Sequence, residues 1–241
     1  MIALFFAPIL LHNIPIDTIF FWLAGFSLPA LWFAWKLPKR LDQMPPIIHK
    51  RFLKFPSTIN SITFFAAILI DGIMVVVLGI LFLQYGDDIS LITVTAMVAF
   101  YLGYRRICLV VLAPAGGWVS DKIGVHKVFN ISVVFIILGL LVLISGWIET
   151  GSVIVFTAYS VHTAVTPGIA SLNQPHALRA VAANATWRDI GAALGTLIGG
   201  FLITSPYITH IFLIAIFGLV ILLLIHLEKT RKAIRFLFAW K

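Results

Sequence analysis

The chain has 241 residues, of which 61% are hydrophobic and only 11% charged. Soluble domains carry roughly 25% charged residues, so this chain cannot cover a soluble surface, and its mean hydropathy of +1.07 points to an integral membrane protein. The net charge of +8 is not a nucleic-acid signature, because the basic residues sit in short segments between apolar runs, where membrane topology accounts for them.

The N-terminal stretch MIALFFAPILL lacks the basic n-region and the small-residue cleavage site of a signal peptide. Its 11 residues reach roughly 16 Å as a helix, against a hydrocarbon core of about 30 Å, so it reads as the last turns of a helix. A full span is predicted at 17–36. Six more are predicted at 59–83, 91–115, 128–147, 152–172, 180–203 and 207–227. Each is an apolar run of about 20 residues, and in lipid such a run satisfies its backbone polar groups only as a helix. The one cysteine, Cys108, lies inside an apolar run and has no partner for an intrachain disulfide.

The connections fall into two kinds. Lys36, Lys39, Arg40, Lys50, Arg51 and Lys54 crowd segment 36–56. Lys122 and Lys127 lie in 116–127, and Arg179 closes 173–179. Lys229, Arg231, Lys232, Arg235 and Lys241 mark the C-terminus. The alternate connections hold Asp17, Asp87, Asp88 and Glu149 but no Lys or Arg. The positive-inside rule places the first set in the cytoplasm and the second outside, and the alternation fits seven crossings without a violation. The expected fold is an all-α, polytopic membrane protein in four parts. Residues 1–36 are the helix stub and one full span, 37–58 a basic cytoplasmic linker with Pro38, Pro45, Pro46 and Pro56, 59–227 a six-helix transmembrane bundle, and 228–241 a basic cytoplasmic tail. The tail KTRKAIRFLFAWK mixes basic and aromatic residues, as a segment lying on the inner membrane surface does, and a disordered end fits the same composition.

Between the second and third spans of the bundle lies GGWVSDKIGVHK, residues 116–127. The spacing Gly117-x-x-x-Asp121-Lys122-x-Gly124-x-x-Lys127 resembles the signature G-x-x-x-D-[RK]-x-G-[RK]-x-[RK] of the major facilitator superfamily. Val125 stands where that signature has a basic residue. In the family this joint connects the second and third helices of a six-helix half and acts as a conformational latch. The physical reading agrees with a tight cytoplasmic turn: Gly117 and Gly124 allow close approach and unusual φ, and Asp121 suits a helix N-terminus. A plain glycine-rich turn whose charges set topology accounts for the same residues. On the fifth span of the bundle, Gly191, Gly195 and Gly199, with Gly200, make a smooth strip for close helix packing. This is similar to the G-x-x-x-G-P-x-x-G-G pattern of some facilitator antiporters, with Thr196 in place of Pro; bundle or dimer packing alone is the alternative.

The resemblance covers roughly 59–227 as a C-terminal half, and 1–36 matches the end of the preceding half. It implies secondary active transport of a small solute by alternating access, proton-coupled or not, in a plasma (inner) membrane protein with a cytoplasmic C-terminus. It also implies a truncated chain, inactive in transport alone, completed by an N-terminal half or by self-association. A complete half-transporter working as an oligomer and a membrane scaffold without transport are the competing readings. The chain has no H-E-x-x-H, G-x-S-x-G or P-loop pattern, so no enzyme, no cofactor and no metal is expected.

Charged residues within spans cost about 2.5–3.5 kcal/mol each on insertion scales and are candidates for a substrate or proton pathway. They are Asp71, Arg105, Arg106, His162, Arg188 and Asp189. Asp71 and the two arginines lie roughly 17–18 Å from the cytoplasmic ends of consecutive spans, so they reach one depth. Adjacent arginines point about 100° apart, so one at most pairs with Asp71. The same angle predicts that Arg188 and Asp189 do not neutralise each other. His162 precedes Pro167-Gly168, where a kink is expected.

Overall fold

The structure, a computed structural model, describes residues 56–85, 90–172, 174, 176–205 and 207–238, together with Thr18, Gly25, Pro29, Trp32, Trp35 and Lys36. The chain divides into two units, Met1–Phe55 and Pro56–Lys241, a division inside the expected linker. The six described positions of the first unit are helical, and the Lys36 ammonium lies 4.2 Å from the centre of the Trp32 ring. The rest of the span expected at 17–36, the stub before it and the turn holding Asp87 and Asp88 lie outside the described residues.

The second unit is all-helical among the described residues. Helix α1 runs Thr58–Ala66, continues as a π-helical segment Ala67–Ile73, and ends as Met74–Tyr85. Then follow α2 (Leu91–Ile123), α3 (Val125–Ile144), α4 (Ile148–Ser171), α5 (Ala177–Leu202) and α6 (Ile208–Phe238). Serines set two of the starts: Ser57 accepts from the Asn60 N–H and Ser90 from the Thr93 N–H, each at 3.2 Å, satisfying donors that a helix start leaves free. Gly146, at φ +97°, turns the chain between α3 and α4.

Among the described residues, five helices are long and apolar enough to cross a membrane: Thr58–Gln84, Leu91–Ile123, Val125–Ile144, Ile148–Ser171 and Ile208–Arg231. Beyond shifts of a few residues at helix ends, three departures from expectation stand out. The second span overruns 115 by eight residues, because Pro114 and two glycines do not stop α2. The predicted span at 180–203 is a helix at 177–202, but it is not among the helices apolar enough to cross. Arg179, Asn184, Arg188, Asp189 and four glycines dilute its apolar content. Helix α6 runs to Phe238, so the basic segment expected as a tail from 228 begins as helix; no Gly or Pro breaks it.

The helices pack through small residues, as expected where lipid removes most of the hydrophobic drive between apolar surfaces. Gly139 on α3 faces Val155 and Ile154 of α4, and Gly151 on α4 faces the Leu143 backbone. Gly116 brings α2 against Val161 of α4, and Tyr104 on α2 bonds Thr157 at 2.8 Å. The closest seam joins α1 to α5. A Cβ placed on Gly191 would lie 2.5 Å from the Phe64 carbonyl oxygen, and one on Gly195 would fall onto the Ile68 carbonyl. Gly199 faces Val76, and Gly72 of the π segment faces the Gly195 backbone. At one end of this seam the buried Asn184 amide donates to Asn60 Oδ1 at 3.0 Å and Thr63 Oγ1 at 3.2 Å.

Candidate functional site

Asp71 lies in the π segment, half-way along α1. A π turn adds a residue to the helical repeat and swings the side chains that follow it out of register, and such turns recur at functional sites. Here it presents Asp71 to α2 and α4. Arg105 on α2 donates from Nη2 to Asp71 Oδ1, and Tyr159 on α4 donates its hydroxyl to Oδ2. The Arg105 guanidinium also lies over the rings of Tyr159, at 5.8 Å, and Phe156, at 5.9 Å. Both ionic side chains are mostly enclosed, with 16% of Asp71 and 10% of Arg105 exposed. Removing one partner of such a pair leaves a buried charge uncompensated, so the two stand or fall together. Arg105 Nε is buried without a partner.

His162 lies one turn beyond Tyr159 on α4 and is fully buried. Its ring is nearly parallel to Tyr159, with centroids 6.0 Å apart, and packs on Phe129 of α3 at 5.0 Å. Nδ1 meets Ser132 Oγ at 3.3 Å. The Ser132 hydroxyl already donates to the Phe129 carbonyl at 2.7 Å, so in this contact it accepts and His162 carries its proton on Nδ1. Nε2 is then a bare acceptor, buried and unpaired, at a cost of about 1–3 kcal/mol if it stays dry. Pro167 lies inside α4 without ending it, and the helix continues to Ser171.

The other candidates separate. Arg106 is exposed while its neighbour Arg105 is buried, as the 100° between neighbours allows. Arg188 and Asp189 contradict the expectation drawn from that same angle. The long Arg188 side chain folds back, and its Nη2 lies 3.2 Å from Asp189 Oδ1. The pair is open, with 43% and 70% of the two side chains exposed, half-way along α5. Among the described residues it makes no hydrogen bond to the Asp71 group.

The joint is smaller than its motif. Residues 116–123 are the last turns of α2, α3 starts at Val125, and Gly124 alone connects them at φ +97° and ψ 134°. That conformation is the one place in the motif that demands glycine. A Cβ on Gly117 would meet nothing within 4 Å, so the expected close approach there is absent; Gly116 makes it instead. Asp121 and Lys127 are exposed, and the Lys122 ammonium lies 3.7 Å from the centre of the Trp118 ring. Asp121 makes no hydrogen bond or ion pair among the described residues. Gly200, expected in the packing strip, faces open space.

Sequence reasoning did not single out Tyr159, Ser132, His126, Asn130 or His226. Tyr159 had a signal, since it is three residues before His162 and shares its helix face. His126 and Asn130 are likewise one turn apart on α3. His226 had none, because only packing brings α6 to α3; its ring lies 6.1 Å from His126 and 5.4 Å from Phe129. Among the described residues no three His, Cys, Asp or Glu side chains are grouped to hold a metal. Comparison with family models, with curated proteins and with solved structures finds no match to this chain.

Proposed function

We propose that this bundle forms one wall of a solute pathway in a secondary transporter of the major facilitator type, coupled to protons through Asp71. The observation that carries the reading is the charge at mid-helix. Asp71 and Arg105 are paired half-way along α1 and α2, and Arg188 and Asp189 stand open half-way along α5. An open ion pair at that depth cannot face lipid cheaply, so this side of the bundle meets water or a second protein wall. A midplane site between two bundles has that character. Protonation of Asp71 would release Arg105, giving solute and proton a shared group to compete for. The motif 116–127 and the glycine strip of α5 support the family assignment.

In this reading six helices of the second unit cross the plasma membrane. The less apolar α5 is admitted because it lies against α1 and lines the pathway. The joint and the C-terminus are cytoplasmic. Cysteine placed at Lys122 should label from the cytoplasmic side only, and at Asp87 from outside only; the reverse pattern overturns topology and family together.

One wall cannot alternate access. Liposomes holding the chain as a monomer should therefore take up no solute. An associated pair, or the chain joined to a second bundle, should couple solute entry to proton movement, and Asp71→Asn should abolish the dependence on pH. Uptake by the monomer sinks the one-wall reading. Pair transport with the same pH profile in wild type and Asp71→Asn reduces the cluster to scaffolding.

A further inference from the structure

Among the described residues, six buried side-chain polar atoms lack a partner, and five of them trace one course through the bundle. Arg105 Nε is at its inner end beside Asp71. His162 Nε2 follows, one turn from Tyr159, and then His226 Nε2, His126 Nδ1 and Asn130 Oδ1. Ring contacts join them: Tyr159 to His162 at 6.0 Å, His162 to Phe129 at 5.0 Å, Phe129 to His226 at 5.4 Å, and His226 to His126 at 6.1 Å. His162 and His226 are 0% and 5% exposed. His126 is only partly buried and lies two residues beyond the Gly124 joint, so the course opens at that end of the bundle.

Unpaired buried polar atoms are rare in folded proteins, and a series of them along one course calls for a shared ligand. Each of the five is a nitrogen or an amide oxygen, and no acid joins the three imidazoles to favour a metal. Water meets the requirement, because it both donates and accepts and bridges about three polar groups at a buried site.

We propose that a file of ordered water runs from the Asp71–Arg105 pair past His162 and His226 to His126, and that the imidazoles pass protons along it. At each imidazole the unpaired nitrogen takes a proton from a hydronium on one side and then gives that proton to the water on the other; at His162 this nitrogen is Nε2, and Nδ1–H keeps its bond to Ser132 throughout. Only N–H and O–H bonds form and break, and the net event is the movement of one proton. Phe129 separates His162 from His226, so water must carry the proton around its ring.

The charged groups on the elements around the file are few. Asp71 and Arg105 close its inner end, with Arg188 and Asp189 on α5 beyond Tyr159. Lys127 on α3 and Glu228 and Lys229 on α6 stand near its outer end, where Lys229 donates to Thr58 Oγ1 of α1 at 2.9 Å. Asp121 and Lys122 lie at the end of α2, and Arg106 on α2, Glu149 on α4, Arg179 on α5 and Arg231 on α6 are the other charged positions of these helices up to residue 231. The inference deepens the proton-coupling reading above and depends on it only for the use made of the proton.

The test is magic-angle-spinning NMR of the full chain in lipid bilayers, with 15N in the histidine rings. Magnetisation from water should reach the ring nitrogens of His126, His162 and His226. In His226→Phe, hydrogen–deuterium exchange at His162 should slow by about tenfold or more, while His126 still exchanges. His126→Phe, at the more open end, should slow His162 likewise and serves where His226→Phe does not fold. A dry His162, or one that exchanges at an unchanged rate in a folded His226→Phe or His126→Phe protein, overturns the file. A dry file leaves the transport reading standing on Asp71 and Arg105. A wet file in a chain that moves no solute in any assembly supports the file and counts against that reading.

Discussion

The joint at 116–124 and the seam between α1 and α5 are both marked by glycine, and they use it in opposite ways. At the joint, one glycine supplies a backbone angle that no other residue adopts without strain, and its surroundings are empty. At the seam, Gly72, Gly191, Gly195 and Gly199 are helical, with no unusual angle, and their value is the absent Cβ. The joint is a matter of conformation and the seam a matter of space. A motif reading weighs both sets alike, whereas substitution should separate them sharply.

The largest effect belongs to the seam. Gly195→Leu drives a side chain into the Ile68 carbonyl on the π segment, where backbone rather than a flexible side chain is in the way. The cost should exceed about 3 kcal/mol, the upper part of the usual overpacking range, and show as loss of the folded monomer in detergent chromatography. Gly200→Leu, five residues along the same helix but facing open space, should leave thermal unfolding within about 0.5 kcal/mol of wild type. Equal losses in the two variants would mean that α5 does not approach α1 through this face.

Next comes the charge pair that the seam supports. Asp71→Asn keeps a hydrogen-bond partner for Tyr159 but strands the Arg105 guanidinium, and should cost about 3 kcal/mol in thermal unfolding, the low end for a buried pair because both side chains keep some exposure. Adding Arg105→Gln should recover part of that loss, because it removes the stranded charge. A double variant no more stable than Asp71→Asn would show that the two residues are not coupled.

How far the sequence revealed this arrangement depended on distance along the chain. Asp71 and Arg105 were legible because equal helical rise from the unjoined ends of consecutive spans puts them at one depth. The glycine strip was legible because its four-residue spacing is local. The length of α2 was not: Gly116, Gly117 and the polar residues after them look like a loop, yet the helix continues across them, since glycine weakens a helix by only about 1 kcal/mol each. The Arg188–Asp189 pair was missed because the angle between backbone positions says little about where a long guanidinium ends. His226 joins His126 across a hundred residues of sequence through the docking of α6 on α3, which no local pattern encodes.

The joint should give smaller effects. Gly124→Ala must hold a Cβ at φ +97°, and a backbone conformation of that kind costs on the order of 1–3 kcal/mol. Gly117→Ala gains helix propensity in open space and should be neutral or stabilising by up to about 1 kcal/mol. Thermal unfolding of the two variants side by side decides the point. A loss at Gly117 as large as that at Gly124 would mean the joint packs against something beyond the described residues.

The smallest effect on stability is expected at Asp121, the residue at the centre of the motif. It is exposed and has no hydrogen bond or ion pair among the described residues, so Asp121→Asn removes only a weak, solvent-screened charge next to Lys122. Unfolding should shift by less than about 0.5 kcal/mol. The latch role implied by the family resemblance makes a different demand. A latch holds one conformation against another, so its loss should change the balance of states without changing the stability of either fold. Spin labels at two exposed positions, residue 118 at the end of α2 and residue 178 at the start of α5, would report that balance as a distance distribution in the full chain in lipid bilayers. Asp121→Asn should broaden or shift the distribution relative to wild type, with unfolding unchanged. An identical distribution, together with unchanged unfolding, would leave the acidic residue a topological marker and Gly124 the only member of the joint with a mechanical task.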